Sequence, residues 1–176
     1  MSKIFYTSDL HLSHFNIIQY CNRPFDSIEQ MNKILIENWN KTVKNEDGVY
    51  VLGDITLSGS KVVYDTVSQL NGKKFLIKGN HDTRWLKDKR FPAIELFENS
   101  LAYDYLEIYD KSRKVILCHY PLMSWNKQSK GAYHLYGHIH NSKPLININN
   151  SFNVGVDVNN YVPITLDELI EKNSNI

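Results

Sequence analysis

Residues 74–82 read Lys74-Phe75-Leu76-Ile77-Lys78-Gly79-Asn80-His81-Asp82, an apolar run that stops short of a glycine and three polar side chains. The run 74–77 predicts a strand, and Gly-Asn predicts the turn that ends it. The same unit recurs upstream. Residues 3–8 predict a strand and 49–52 another. Between them Ser27, with Gln30 three residues on, caps a predicted helix over 28–43. Its apolar face comprises Ile28, Met31, Ile34, Leu35, Trp39 and Val43. A second helix is predicted over 60–70, closed by Asn71-Gly72. This βαβαβ rhythm implies parallel strands joined by helical crossovers.

The second half predicts strands at 101–109 and 114–119, paired as a hairpin across Asp110–Arg113, then strands at 133–136, 145–149 and 152–157. Thr165 and Glu168 predict a cap for a last helix over 166–172. With no linker, repeat or change in composition, one α/β domain spanning 1–176 with mixed sheets is expected. Lys and Arg number 20 against 19 Asp and Glu, so extended nucleic-acid binding through a general positive field is not expected. No apolar run approaches the ~20 residues of a membrane span, and the first residues lack the apolar core of a signal peptide. Cys21 and Cys118 fit no disulfide framework, so reduced thiols and a cytoplasmic location are expected.

Chemistry collects where the strands stop. Asp9 and His11 follow the first strand, and Gly53-Asp54 the second. The third leads to Asn80, His81 and Asp82, a later one to His119, and 133–136 to Gly137-His138-Ile139-His140. In open α/β sheets such ends converge on one cleft. Any one of these residues alone could be a polar loop; the ordered set is what points to a site. Imidazole, carboxylate and amide oxygen without thiolate suit Mn, Fe, Zn or Ni. Seven candidate ligands, Asp9, His11, Asp54, Asn80, His119, His138 and His140, exceed one tetrahedral zinc. They suit two divalent transition-metal ions sharing a carboxylate, the arrangement that hydrolyses phosphate esters.

The set Asp9-x-His11, Gly53-Asp54, Gly79-Asn80-His81-Asp82, His119 and Gly137-His138-x-His140 resembles the calcineurin-like metallophosphoesterases along the whole chain. Residues 8–25 (SDLHLSHFNIIQYCNRPF) and 154–169 (VGVDVNNYVPITLDEL) are similar to a small bacterial and phage subgroup of predicted phosphoesterases. The resemblance implies a four-layer αββα sandwich of two mixed β-sheets flanked by helices. It implies that Asp9, His11 and His140 hold one ion, that Asn80, His119 and His138 hold the other, and that Asp54 bridges. His81 would stand beside the phosphate as the catalytic residue, with Asp82 orienting it. Two positions depart from the pattern. Leu57 stands three residues after Asp54, where the family often has a polar residue, and Tyr136 stands before Gly137, where it often has histidine.

The expected reaction is in-line attack of a metal-bridging hydroxide on a phosphomonoester or phosphodiester, with His81 at the leaving group and manganese as the first choice of metal. The substrate is expected to be a small phosphate ester such as a nucleotide. Candidate substrate contacts are His14, Asn16, Arg23, Arg84 and His134, and Tyr120 or Trp125 could stack on a base. The basic stretch 73–90 could attract an anion or be a solvated face. Two alternatives stay open: a nuclease acting on DNA or RNA, and a non-catalytic metal-binding scaffold of the same fold.

Overall fold

A computed structural model describes residues 2–174; Met1 and residues 175–176 of the expected domain lie outside the described residues. The first sheet orders β1 (Ile4–Thr7), β2 (Gly48–Val51), β3 (Lys73–Ile77) and β4 (Ala102–Tyr103), all parallel. An antiparallel bridge, Tyr6 to Ile164, extends its β1 edge. The second sheet orders β5 (Tyr105–Asp110), β6 (Arg113–Cys118), β7 (Tyr133–Tyr136) and β8 (Ser151–Asn153). Its β5–β6 pair is antiparallel and the other pairs are parallel.

The twofold alternation of strand side chains builds the layers. In the first sheet Phe5, Val49, Val51 and Leu76 face the helices, packing on Met31, Leu35 and Trp39 of α2 (Ile28–Thr42) and on Val63 and Val67 of α3 (Ser60–Val67). Their neighbours Tyr6, Leu52 and Ile77 face the other way and meet Val115, Leu117, Leu135 and Phe152 of the second sheet. Leu166 and Leu169 of α5 (Leu166–Ser174) join that middle core. On the outer face of the second sheet Ile116 is covered by Trp125 and Ala132 from the β6–β7 loop, a thinner cover containing only a short 3-10 turn. The result is an α/β sandwich of two sheets flanked by helices, as expected.

Both predicted caps form. Ser27 Oγ accepts the Gln30 N–H at 3.1 Å, and the Thr165 N–H donates to Glu168 Oε2 at 2.8 Å. Three expectations change. The stretch 101–109 is two strands in different sheets, because the chain crosses at Asp104 after Ala102 and Tyr103 pair with β3; an ion pair from Lys78 holds the crossing. Residues 145–149 form no strand; Leu145 and Ile146 lie exposed on a loop after Pro144. The strand expected over 152–157 ends at Asn153, whose Oδ1 accepts the Gly155 N–H at 2.8 Å and starts a turn into residues 156–158. Two short helices went unforeseen, α1 (Phe15–Tyr20) and α4 (Thr83–Leu86).

Candidate metal centre

The parallel strands deliver their carboxyl ends to one edge, where the backbone is unusual. Asp9, His11, Asp54, His138 and His140 all take positive φ, between 49° and 70°. That region is sparsely used by residues other than glycine, although Asp and His tolerate it best. Strain gathered in this way marks a site whose side chains must point somewhere specific. Two glycines permit the packing. A β-carbon at Gly79 would collide with Asp54, and one at Gly137 with Ser8 and Asp9.

The buried carboxylate of Asp82 ties the β2 and β3 loops together. Oδ2 accepts the N–H groups of Gly79 (2.8 Å) and Asp54 (2.9 Å), and Oδ1 those of Ile55 (3.1 Å) and the Trp85 indole (2.8 Å). Among the described residues, none of its hydrogen bonds goes to the His81 ring. Asp82 therefore fixes the loops that carry Asp54 and His81 rather than touching the imidazole.

The side chains meet in two groups. The donor atoms of Asp9, His11 and His140 lie within 4.8 Å of one another, as do those of Asp54, His119 and His138. Asn80 Oδ1 joins the second group, 3.0 Å from His119 Nε2 and 3.0 Å from His138 Nδ1. Asp54 Oδ2 stands between the groups, 3.6 Å from His11 Nε2 and 3.5 Å from His119 Nε2. All seven expected ligand residues thus come together.

The surroundings set which nitrogen each ring offers. His119 Nδ1 lies 2.7 Å from the Leu52 carbonyl oxygen, and His140 Nδ1 lies 2.8 Å from Asp157 Oδ2. Each contact uses Nδ1 as the donor and leaves Nε2 to ligate. Burial works against a charged His140, but the Asp157 carboxylate outweighs it and lifts the imidazole to about 10. Burial pushes Asp9 up to about 6 and His11 down to about 3. Burial also pushes Asp54 up, yet hydrogen bonding from His119 prevails and holds it at about 2.

Among the described residues, neither buried ring nitrogen of His11 has a hydrogen-bond partner, a costly state for polar atoms. A cation between His11, Asp9 and Asp54 would relieve it, and would lower the Asp9 carboxyl as well. The donor set therefore fits divalent cations. Cys21, His140 and Asp157 form a further close group, but both Asp157 oxygens already accept hydrogen bonds from Arg23 at 2.7 and 3.0 Å.

A cleft of about 660 Å³ opens over the groups, lined among others by His81, His14 and Asn16. His81 Nε2 lies 3.9 Å from Asp54 Oδ2, with its side chain 41% exposed. The other expected substrate contacts lie elsewhere. Arg23 is buried, bound to Asp157 and to the carbonyls of Leu10 (2.9 Å) and Asp9 (2.7 Å). His134 is fully buried, accepts the Leu122 N–H at 3.0 Å and packs on Trp125. Arg84 is exposed on α4 and does not line the cleft. Sequence reasoning missed Asp157, whose signals were a carboxylate inside the apolar run Val154–Val158 and its place in the stretch 154–169 that carries the subgroup resemblance.

Comparison with known proteins bears on the family and the fold. An uncharacterized protein of Methanocaldococcus jannaschii is 40% identical over 98% of this chain and 93% of its own. The gene 66 protein of Mycobacterium phage D29 is 29% identical over 80% of this chain and 79% of its own. The crystal structure of a protein of unknown function from Aquifex aeolicus superposes with a TM-score of 0.70 at 24% identity, covering 98% of this chain and 99% of that one, a likeness of fold. Residues 2–165 match the calcineurin-like phosphoesterases, and the chain belongs to that family.

Proposed function

We propose that this chain, working as one domain, is a two-metal phosphoric ester hydrolase acting on small phosphomonoesters or phosphodiesters in the cytoplasm, with manganese as the resident metal. Asp9, His11 and His140 would hold one ion, and Asn80, His119 and His138 the other, with Asp54 shared. Such a pair supplies a nucleophile at neutral pH and neutralises charge on the phosphoryl oxygens. The observation that carries the reading is Asp54 Oδ2 standing between the two donor groups, beside a His11 whose ring nitrogens have no hydrogen-bond partner among the described residues.

The chain's own residues do the rest. Asp82 holds the Asp54 and His81 loops in register through four hydrogen bonds. His81, exposed on the cleft, donates a proton to the leaving oxygen. His14 and Asn16 line the wall nearest α1 and contact the ester. Among the described residues no helix is long and apolar enough to cross a membrane, and both cysteines are free thiols.

The test is metal content together with manganese-dependent hydrolysis of a bis-aryl phosphate, an aryl monophosphate, cyclic nucleotides and single-stranded nucleic acid. Two ions per chain and turnover of at least one small ester are expected. Two bound ions with no turnover on any of them would favour the scaffold, and turnover of nucleic acid alone would favour the nuclease.

A further inference from the structure

Tyr120 and Trp125 were both candidates for stacking, and their surroundings separate them. Trp125 is buried, and its indole N–H donates to the Ala132 carbonyl at 2.9 Å. Tyr120 is 45% exposed, and its ring centroid lies 4.7 Å from that of His138, in the second donor group. The chain then runs through Pro121 and Leu122 to Met123, which is 66% exposed. Facing this wall, the loop beyond His140 presents Leu145 and Ile146, both exposed.

Between the two walls lies a cavity of about 190 Å³, lined by Met123, Leu145, Ile146 and Ile148. Ile139 and Ser142 line both this cavity and the cleft over the donor groups, so the two adjoin. Each wall is fastened to the elements that carry the ligands. The Leu122 N–H donates to His134 Nε2 of β7 at 3.0 Å, and the Ser142 N–H donates to the Ile139 carbonyl at 2.9 Å. Apolar side chains scattered singly over a surface need no explanation, whereas a cluster bordering a polar cleft marks a binding surface.

We propose that this channel receives the ester group of the substrate, and that the group is apolar and about the size of a single ring. Met123 and Ile146 are then specificity residues. The inference rests on the phosphoric ester hydrolase reading and narrows it. A dry cavity of roughly 150 Å³ holds benzene, so this one, at about 190 Å³, has room for one ring. The phosphoryl group would sit under His81 and His138, with the ester group pointing past Ile139 and Ser142.

Two non-hydrolysable ligands with the same phosphorus head separate the possibilities. Calorimetry on the manganese-loaded protein would compare phenylphosphonate with methylphosphonate, for the native chain and for Met123→Asp and Ile146→Asp. The native protein is expected to prefer phenylphosphonate roughly tenfold, from the apolar area the ring removes from water. Each variant should lose most of that preference while binding methylphosphonate within about twofold of the native chain. Equal affinity for the two ligands in the native protein, or a preference that survives both substitutions, overturns the channel while leaving the hydrolase reading intact. If neither phosphonate binds, the hydrolase reading fails and the channel with it. Sedimentation of the same proteins gives the last arm: if the variants change self-association and leave the ligand preference unmoved, the patch is a face for a second copy of the chain and the proposal is wrong.

Discussion

The two donor groups are built from the same residue types but differ in how they are held. In the first, Asp9 is fully buried, His11 is 2% exposed, and His140 is backed by the buried Asp157–Arg23 pair. In the second Asp54 and His119 are buried, His138 is half-buried and borders the cleft as His11 and His140 do, but Asn80 is exposed and no buried ion pair backs the set among the described residues. Arg23 reinforces the contrast, because it grips the Asp9 and Leu10 carbonyls as well as Asp157. A pre-arranged, dehydrated group binds tightly and exchanges slowly, while an open one leaves room for substrate. The first group is therefore expected to keep its ion through purification and the second to lose it first.

The largest test of that contrast removes the joint between the groups. Altering an outer contact of a ligand costs about 10–100-fold in affinity or activity, so Asp54→Asn, which alters a shared ligand, should cost more than ~100-fold. Metal analysis with turnover would show both ions weakened; loss of only one would mean that Asp54 is not shared. Next comes His81→Ala, expected to lower turnover by about 10²–10³-fold with both ions still bound. Metal lost in proportion to activity would instead make His81 a ligand of the open group.

Asp157→Asn acts on the closed group alone. First-site affinity should fall about 10–100-fold while the second site holds, measured by competitive chelator titration. If both sites weaken alike, the two groups do not differ in support. The smallest effect lies at the other end of the first sheet. Asp47 accepts the N–H groups of Lys3 (2.7 Å) and Lys44 (2.9 Å). Burial raises its carboxyl, but those hydrogen bonds outweigh burial and hold it below the usual range. Its contribution is complete above the unfolded value near ~3.9 and is lost as pH falls through the lower folded value. Asp47→Asn should cost about 1–2 kcal/mol by urea unfolding at pH 7, less at pH 2, and leave both metal affinities unchanged.

Much of this was legible in the chain. Polar residues where strands stop marked every member of the two donor groups, because a parallel sheet must end its strands at one edge, and glycine is needed where Gly79 meets Asp54 and Gly137 meets Asp9. What escaped depends on direction. Hydrophobic alternation runs straight through Asp104, so nothing local shows the chain changing sheets there. Leu145 and Ile146 carry the composition of a strand on a loop. Arg23 follows the first motif as a substrate contact would, yet points into the protein. Asp82 neighbours His81 in sequence, but its carboxylate turns to backbone N–H groups, and no spacing rule distinguishes those outcomes. Asp157 lies in the stretch 154–169 that carries the subgroup resemblance, but its part is found only by asking what holds His140.

The crossing at Asp104 divides the chain into two stretches. Asp9, His11, Asp54 and Asn80 precede it, and His119, His138 and His140 follow. Each donor group draws on both stretches, so neither fragment of a protein cut at this point could assemble a complete set. Metal capture would thus work as a two-key lock on assembly, closing only once the late-made sheet has docked on the early-made one.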